Sequence, residues 1–369
     1  MAVKNEDRTL RECLASVRPL LTAWAIVDCG STDGTRALLQ ESLRGLPGQL
    51  AEHFGATYDR GRREALALAG THADFLLVLD PTALITTELG FRLPELLADE
   101  LQARTLSGDL TARRSLLARS SLPWRFDDAA PNEIVCDAPH EVRMLAGLTL
   151  HLTRNGSRAP GAPRFQEDVT RLREAIHASP DQPHLVFRLA QCLREEGDIP
   201  GAIALLEKRA AMQGDDDEAW FALHQAGVLR ELAHEREAAL EAFLRAYDAR
   251  PHRAEPLVEL ARGARERGEH DVAHVFASAA MSLPRPSLQE CFVHEDAYSW
   301  RAASEYASAL RSLGKFDEAL AATQKLLARK ALPLCERARI EHDKSLCQAQ
   351  LGNVERSDRN RRKRARRAR

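Results

Sequence analysis

Trp24-Ala-Ile-Val-Asp-Cys-Gly-Ser-Thr-Asp-Gly-Thr35 is the stretch that decides how this chain is read. Its apolar run, Ala25–Val27, stops at Asp28 and gives way to a glycine, two hydroxyls, a second acid and another glycine. Such a run, bounded by turn residues, reads as a buried strand, and open α/β sheets hold their ligands at strand C-termini. Gly30 and Gly34 let the backbone turn sharply. Ser31, Thr32 and Asp33 are capping residues for a helix that opens at Thr35. Asp28 is then expected to face a crevice, where its carboxylate would accept hydrogen bonds from a base or a ribose.

The flanking sequence continues the alternation. Arg8–Leu21 places Leu10, Leu14, Val17 and Leu21 on one helical face. Thr35–Leu43 reads as a helix, Gln49–Phe54 as a strand, Arg62–Ala69 as a helix, and Phe75-Leu-Leu-Val-Leu79 as an apolar run ending in Asp80. This βαβαβ order predicts a parallel sheet. Its opening strand is short, since only Met1-Ala-Val precedes Lys4-Asn5-Glu6. From about Gln166 helix follows helix, with turn glycines at Gly197, Gly268, Gly314 and Gly352, roughly in the 34-residue tetratricopeptide class. Leu313-Gly-Lys-Phe-Asp-Glu-Ala-Leu320 is the best single match to that repeat. The predicted class is α/β followed by all-α. The predicted domains are 1–158, 159–355 and a tail, 356–369.

Composition sets the limits. At 369 residues the chain has room for two domains, and 44% hydrophobic with 29% charged residues describes an ordinary soluble protein. No apolar run reaches the roughly 18 residues a membrane span needs. The first residues show no signal-peptide core, and the seven scattered cysteines form no CxxC pair. Reduced thiols and a cytoplasmic location are expected. The net charge of -2 hides a tail of +8 from Arg356 to Arg369, which leaves -10 on the body. A tail of that composition is expected to be disordered, either simply solvated or drawn to a polyanion. The acidic body and 5% aromatic content point away from nucleic acid elsewhere.

The opening string resembles the signature of family 2 glycosyltransferases, enzymes of the GT-A fold that use nucleotide-sugar donors. Val3-Lys4-Asn5-Glu6 is similar to the end of that family's first strand, and Asp59-Arg-Gly-Arg-Arg-Glu-Ala-Leu-Ala-Leu-Ala69 to the start of one of its helices. Trp124-Arg-Phe126 with Pro139-His-Glu141, His151 with Gly156-Ser-Arg158, Phe187-Arg-Leu-Ala-Gln-Cys-Leu-Arg-Glu-Glu-Gly-Asp198 and Arg250-Pro-His-Arg-Ala-Glu-Pro-Leu257 resemble strings of bacterial repeat-bearing members. Bacteriocin S-glycosyltransferases share the same two-part plan, and the likeness spans about residues 1–330.

The resemblance implies a GT-A-type, Rossmann-like domain followed by a tetratricopeptide-like solenoid. It also implies an inverting hexosyltransferase. The sugar would pass from a UDP-type donor to a hydroxyl or thiol of a peptide, protein or other acceptor held partly by the repeats. The diphosphate would leave stabilised by Mg²⁺ or Mn²⁺. Val3, Asn5, Glu6, Asp28, Ser31, Asp33, Arg62 and Asp80 would then line the donor site. His140 or Glu141 would deprotonate the acceptor, and Asp80 with His151 would hold the cation. Plainer roles exist for several of these. Glu6 suits the first turn of a helix, Arg62 a protein surface, and histidines near strand ends a structural contact. Two positions depart from the family pattern. Thr82 stands where a second acid is expected and is a poor ligand for a hard cation, and Gly61 stands where the family has asparagine. A catalytically decayed enzyme, its repeats now a protein-binding scaffold, is the competing reading. Homodimerisation is a further role for the repeats.

Overall fold

Strands β1 (Ala2–Val3), β2 (Trp24–Asp28) and β3 (Gly48–Glu52) lie parallel in the order β1-β2-β3. Val3 pairs with Asp28, and Trp24 with Gly48. Glycine is required at 48, because a Cβ there would come within 2.3 Å of the Trp24 indole. Helices α1 (Leu10–Val17), α2 (Thr35–Ser42) and α3 (Tyr58–Ala69) make the connections. Leu10, Leu14, Leu38 and Leu39 bury against Val3 and Ile26, while Ala65 packs with Ala2, Val27 and Cys29. The computed structural model describes residues 1–369 except 56, 71–72, 109, 127–133, 153–162, 288–289, 330–331 and 368–369.

The run at Phe75 does not join this sheet as expected. Strand β4 (Phe75–Leu77) pairs antiparallel with β7 (Leu110–Arg119), in a second, mixed sheet that also contains β5 (Ala83–Thr87), β6 (Glu100–Ser107) and β10 (Val142–Leu152). The physical reason is the apolar surface on offer. Phe75, Leu77 and Leu79 pack against a core of Leu101, Ala103, Leu116, Leu145, Leu148 and Leu150, whereas β1 presents only two residues. A small hairpin, β8 (Arg125–Phe126) with β9 (Ile134–Val135), completes the strands of this half.

In this half the strands run to Leu152 and the later helices begin with α4 (Pro163–Ala178), while a two-residue strand recurs at Val293–His294; the expected boundary at 158 lies outside the described residues. The compact units divide later. One comprises residues 1–205 with 288–292, the other 206–287 with 293–369, and the division lies inside α6 (Ile199–Ala211). Helices α4 and α5 (Pro183–Glu196) thus belong with the strands, and Arg171 of α4 pairs with Asp59 of α3 at 2.6 Å.

The second unit stacks helical hairpins: α7 (Asp216–Leu232) with α8 (Arg236–Ala249), α9 (Glu255–Glu266) with α10 (His270–Ser282), and α11 (Ala302–Ser312) with α12 (Phe316–Leu327). Their turns rest on single residues of positive φ, namely His234 (62°), Gly268 (78°) and Gly314 (73°), as the α5/α6 turn does on Gly197 (84°). His234 and Gly268 are 34 residues apart, the tetratricopeptide spacing. The gap of 46 from Gly268 to Gly314 holds an inserted segment, residues 283–296, and a π-helical turn, Ala297–Arg301. The crossings are close: a Cβ on Gly227 of α7 would meet the Phe243 ring of α8 at 2.6 Å.

Two expectations are corrected here. Gly352 makes no turn, because it lies within the long helix α13 (Leu334–Arg367). The same helix carries the basic tail, which is helical to Arg367 and not disordered. Extending an existing helix needs no new nucleus, and Arg, Lys and Ala are strong helix formers. The α7/α8 turn escaped notice because an exposed histidine stands where its counterparts have glycine. A left-handed conformation is costly for a residue with a Cβ. His234→Gly is therefore expected to raise stability by about 1 kcal/mol, seen as a higher Tm. A lower Tm would show that the imidazole makes a contact outweighing the strain.

Candidate functional site

The ends of β1 and β2 are laced together by side chains. Asn5, at φ 56°, donates its N–H to Ser31 Oγ (3.0 Å) and accepts the Thr32 N–H on Oδ1 (2.8 Å). The Glu6 N–H donates to Thr35 Oγ1 (2.8 Å), and Thr9 donates its hydroxyl to the Glu6 carboxylate (3.2 Å). Asp33 accepts the Asp7 N–H (3.3 Å) on one oxygen and the Thr35 N–H (3.0 Å) on the other. Asp28 accepts from the Ser31 N–H (2.9 Å) and hydroxyl (2.6 Å), and the Arg36 guanidinium binds its second oxygen. Burial pushes the Asp28 carboxyl up, but the Ser31 and Arg36 hydrogen bonds outweigh it and hold the group below its ordinary value.

The structure thus gathers Val3, Asn5, Glu6, Asp28, Ser31 and Asp33 at one end of the parallel sheet. It does not leave them open. Asp28 is fully buried beneath Ser31 and Arg36, so the expected crevice-facing carboxylate is corrected. Val3 sits in the core, and Glu6, also buried, accepts the Leu10 N–H of α1 on its main-chain carbonyl (3.0 Å).

Arg62 and Asp80 do meet, but they meet each other, at 3.0 Å. The guanidinium also lies 4.5 Å from the Tyr58 ring, and Arg62 is buried, not a surface residue. Thr82 donates both its N–H (3.3 Å) and its hydroxyl (3.0 Å) to the other Asp80 oxygen. The departure at Gly61 has a packing cause: a Cβ there would sit 2.4 Å from Cys29 Sγ of β2.

These residues do not fit the divalent cation implied by the resemblance. Both Asp80 oxygens are occupied, one by a cation already, and His151 Nε2 lies 2.8 Å from the Thr86 hydroxyl on the second sheet. Among the described residues no group of three His, Cys, Asp or Glu side chains is placed to hold a metal. Gly156-Ser-Arg158 lies outside the described residues.

His140 is not poised as a base. Its Nδ1 is 2.9 Å from the Ala138 carbonyl and its Nε2 2.8 Å from the Glu100 carboxylate. Two acceptors suit an imidazolium, and the Ala138 and Glu100 contacts raise the His140 pKa. Trp124 packs edge-on against the ring at 5.1 Å. Glu141 is exposed and paired with Arg143.

The most heavily built polar cluster lies in the second unit. Arg253, with no exposed surface, forks onto Glu255 at 2.7 and 3.1 Å and stacks 3.8 Å from the Trp220 ring. Glu255 also accepts the Tyr298 hydroxyl (2.6 Å) and the His294 N–H (3.3 Å). On the next turn of α9, Glu259 bridges Arg301 (2.6 Å) and Arg262 (2.9 Å). Arg253 and Glu255 belong to the Arg250–Leu257 string already singled out for its resemblance; what went unread was their burial together.

Beside them His224 lies 5.5 Å from the His294 ring and 5.8 Å from those of Trp220 and Phe243, fully enclosed among these rings. Burial, then His294, Arg301 and Arg253, drive its pKa well below 6.5, and burial lowers His294 as well. The unfolded chain therefore takes up protons near pH 6.5 that the fold refuses. Stability from these two groups is complete above about pH 6.5 and declines as the pH falls below it. His140 has the opposite sign, contributing below 6.5 and losing its contribution above its raised value. In urea melts at pH 7.5 and 5.5, His224→Phe should lose less stability on acidification than the native protein. An equal loss would contradict the assignment.

Most of α7 and α9 is enclosed, with Trp220–Ala222, His224–Gly227 and Glu255–Ala261 all buried, although Leu232 at the C-terminal end of α7 is exposed. The second helices of the same hairpins differ. Helix α8 exposes Leu240 and Leu244, and α10 exposes Val272, Val275 and Met281.

Residues 164–226 match the tetratricopeptide repeat family. A TPR repeat-containing protein of Synechococcus elongatus is 27% identical over 308 residues, covering 76% of this chain and 74% of that protein. That alignment is longer than the helical stretch from Pro163 to Arg367, so it reaches into the strand-bearing half. Among solved structures, MamA is 21% identical over 44% of this chain and 86% of its own (TM-score 0.37). A thermophilic TPR protein of Thermus thermophilus is 22% identical over 49% and 90% (TM-score 0.34). The C-terminal region is a helical repeat of tetratricopeptide type. No helix among the described residues is long and apolar enough to cross a membrane.

Proposed function

We propose that this protein is a protein-binding scaffold whose contact surface is the outer face of its second helices. The observation that carries this reading is the set of apolar residues left exposed on α8 and α10, where Val275 is 63% and Leu244 44% accessible, against first helices whose exposed apolar side chain is Leu232 at the end of α7. Grouped exposed apolar side chains mark interaction surfaces.

The test is photo-crosslinking in cells from p-benzoylphenylalanine at Val275 or Leu244, with Glu12 on exposed α1 surface as the control. Discrete adducts from the first two and none from the third are expected, and an adduct of twice the chain mass would make the partner a second copy. Indistinguishable patterns at all three sites would contradict the reading.

A second reading, nucleotide-sugar transfer, draws support from one observation: Asn5, Asp28, Ser31 and Asp33 do assemble at the C-terminal end of a parallel sheet. Donor binding there requires Ser31 and Arg36 to release Asp28.

A further inference from the structure

Helix α13 runs unbroken from Leu334 to Arg367 and packs along α12. Its first half is anchored, with Ile340 in the cluster of Leu326 and Cys347 in that of Leu310. Cys347 is the last buried residue among those described on this helix. Gln348–Asn353 and Arg356 are half-buried or exposed. The helix therefore continues past the core that holds it.

Residues 356–367 are twelve positions with eight Lys or Arg and one acid, Asp358. They carry +7, which leaves -9 on the other residues of a chain whose net charge is -2. As a helix the stretch is about 18 Å long and places a positive charge about every 2 Å along its axis. Duplex DNA presents a negative charge about every 1.7 Å of its own axis. A rod of comparable density and opposite sign displaces the counterions condensed on DNA, which is the main source of sequence-independent affinity.

The distribution around the helix selects among anionic partners. At about 100° per residue, Arg356, Lys363 and Arg367 fall on one side of the axis, Arg361 and Arg364 on a second, and Arg359, Arg362 and Arg366 on a third. A flat anionic membrane would meet one of these sides, and the stretch has no apolar residue larger than alanine to bury in it. A groove meets several sides together. The major groove of B-form DNA, about 12 Å wide, admits a helix of about 10–12 Å diameter, whereas the A-form groove of duplex RNA is too narrow.

We propose that residues 356–367 bind double-stranded DNA, lying as a helical rod in the major groove with their charges toward the phosphates of both walls. The stretch offers mainly charge, so binding is tolerant of sequence. The -9 on the other residues repels DNA and confines contact to this rod. The surface is independent of the apolar residues on α8 and α10.

The test uses the full chain and a fluorescein-labelled, mixed-sequence DNA duplex of about 20 base pairs, read by anisotropy from about 50 to 200 mM KCl. Saturable binding is expected, with log K falling against log[KCl] at a slope of about -6, the value for seven neutralised phosphates. Arg361→Gln, Arg362→Gln, Lys363→Gln and Arg364→Gln together keep helix propensity. They should weaken binding more than about tenfold and flatten the slope by about 3 to 4. Asn360→Pro keeps every charge but breaks the rod, and should weaken binding more than about fivefold. Duplex RNA of the same sequence, and vesicles of phosphatidylcholine with phosphatidylserine, should bind more weakly at equal salt. Absence of DNA binding at the lowest salt, or affinity unmoved by the four glutamines, would overturn the proposal. Affinity unmoved by Asn360→Pro, or matched by RNA or vesicles, would mean that charge acts without a helix in a groove, and would overturn it too.

Discussion

Glu255→Ala is expected to lower stability by about 3–5 kcal/mol, the cost of removing one partner from a buried ion pair. Arg253 has no exposed surface and takes two hydrogen bonds to Glu255, so its charge would be stranded against the Trp220 face. The Tyr298 hydroxyl and the His294 N–H would lose the same acceptor. Glu255→Gln keeps the shape and acceptor oxygen but not the charge, and should fall between. Replacing both partners, Arg253→Met with Glu255→Leu, should cost far less than either Glu255 variant, because no charge is left buried alone. Urea unfolding of the full chain measures all of these. A loss below about 1 kcal/mol for Glu255→Ala, the scale of an exposed pair, would show that this cluster is solvated and not a keystone of the repeats.

The second large effect is expected at Asp80. Its pairing with Arg62 is nearly dry, with side chains 10% and 7% exposed. Asp80→Ala should cost about 3–5 kcal/mol by stranding Arg62, softened by the stacking of the guanidinium on Tyr58. Arg62→Ala should cost a similar amount, and Asp80→Asn less, because the amide oxygen still accepts from Thr82. If Asp80 instead served a ligand, Asp80→Ala would leave the melting temperature of the free protein nearly unchanged. The two roles therefore separate in a thermal melt without added ligand.

Legibility followed locality. The strand at Trp24–Asp28 and the helix at Thr35 were readable because an apolar run and its turn residues are adjacent in sequence. Helix α1 stops at Val17, short of the expected Leu21, because Pro19 forces a tighter 3₁₀ turn over Arg18–Leu20. Helix α3 begins four residues early, since Thr57 caps it by accepting the Arg60 N–H. The second sheet was unread for a specific reason. Strand β10 buries Leu145, then Leu148 and Leu150, and a register shift between Leu145 and Thr149, with Gly147 at φ 78°, breaks its period of two.

Site residues show the same division. That Asp28 ends a buried strand was visible; that Arg36, eight residues on, folds back to neutralise it was not, since nothing in spacing alone marks that arginine. Likewise Asp80 was rightly placed after a strand, but its partner Arg62 reaches it through three-dimensional packing of α3, which the glycine at 61 permits. Composition gave no hint that a histidine would take the place of a turn glycine at His234.

If the acids at the strand ends hold the fold together and the repeats do the binding, the first unit has no affinity for a nucleotide. Isothermal calorimetry of the full chain with UDP, with and without Mn²⁺, tests it most directly. No saturable heat is expected in either titration, with Asp28→Ala and Asp80→Ala losing stability and nothing else. Saturable UDP binding that disappears in Asp28→Ala, while the variant remains folded, would contradict it and put nucleotide-sugar transfer first.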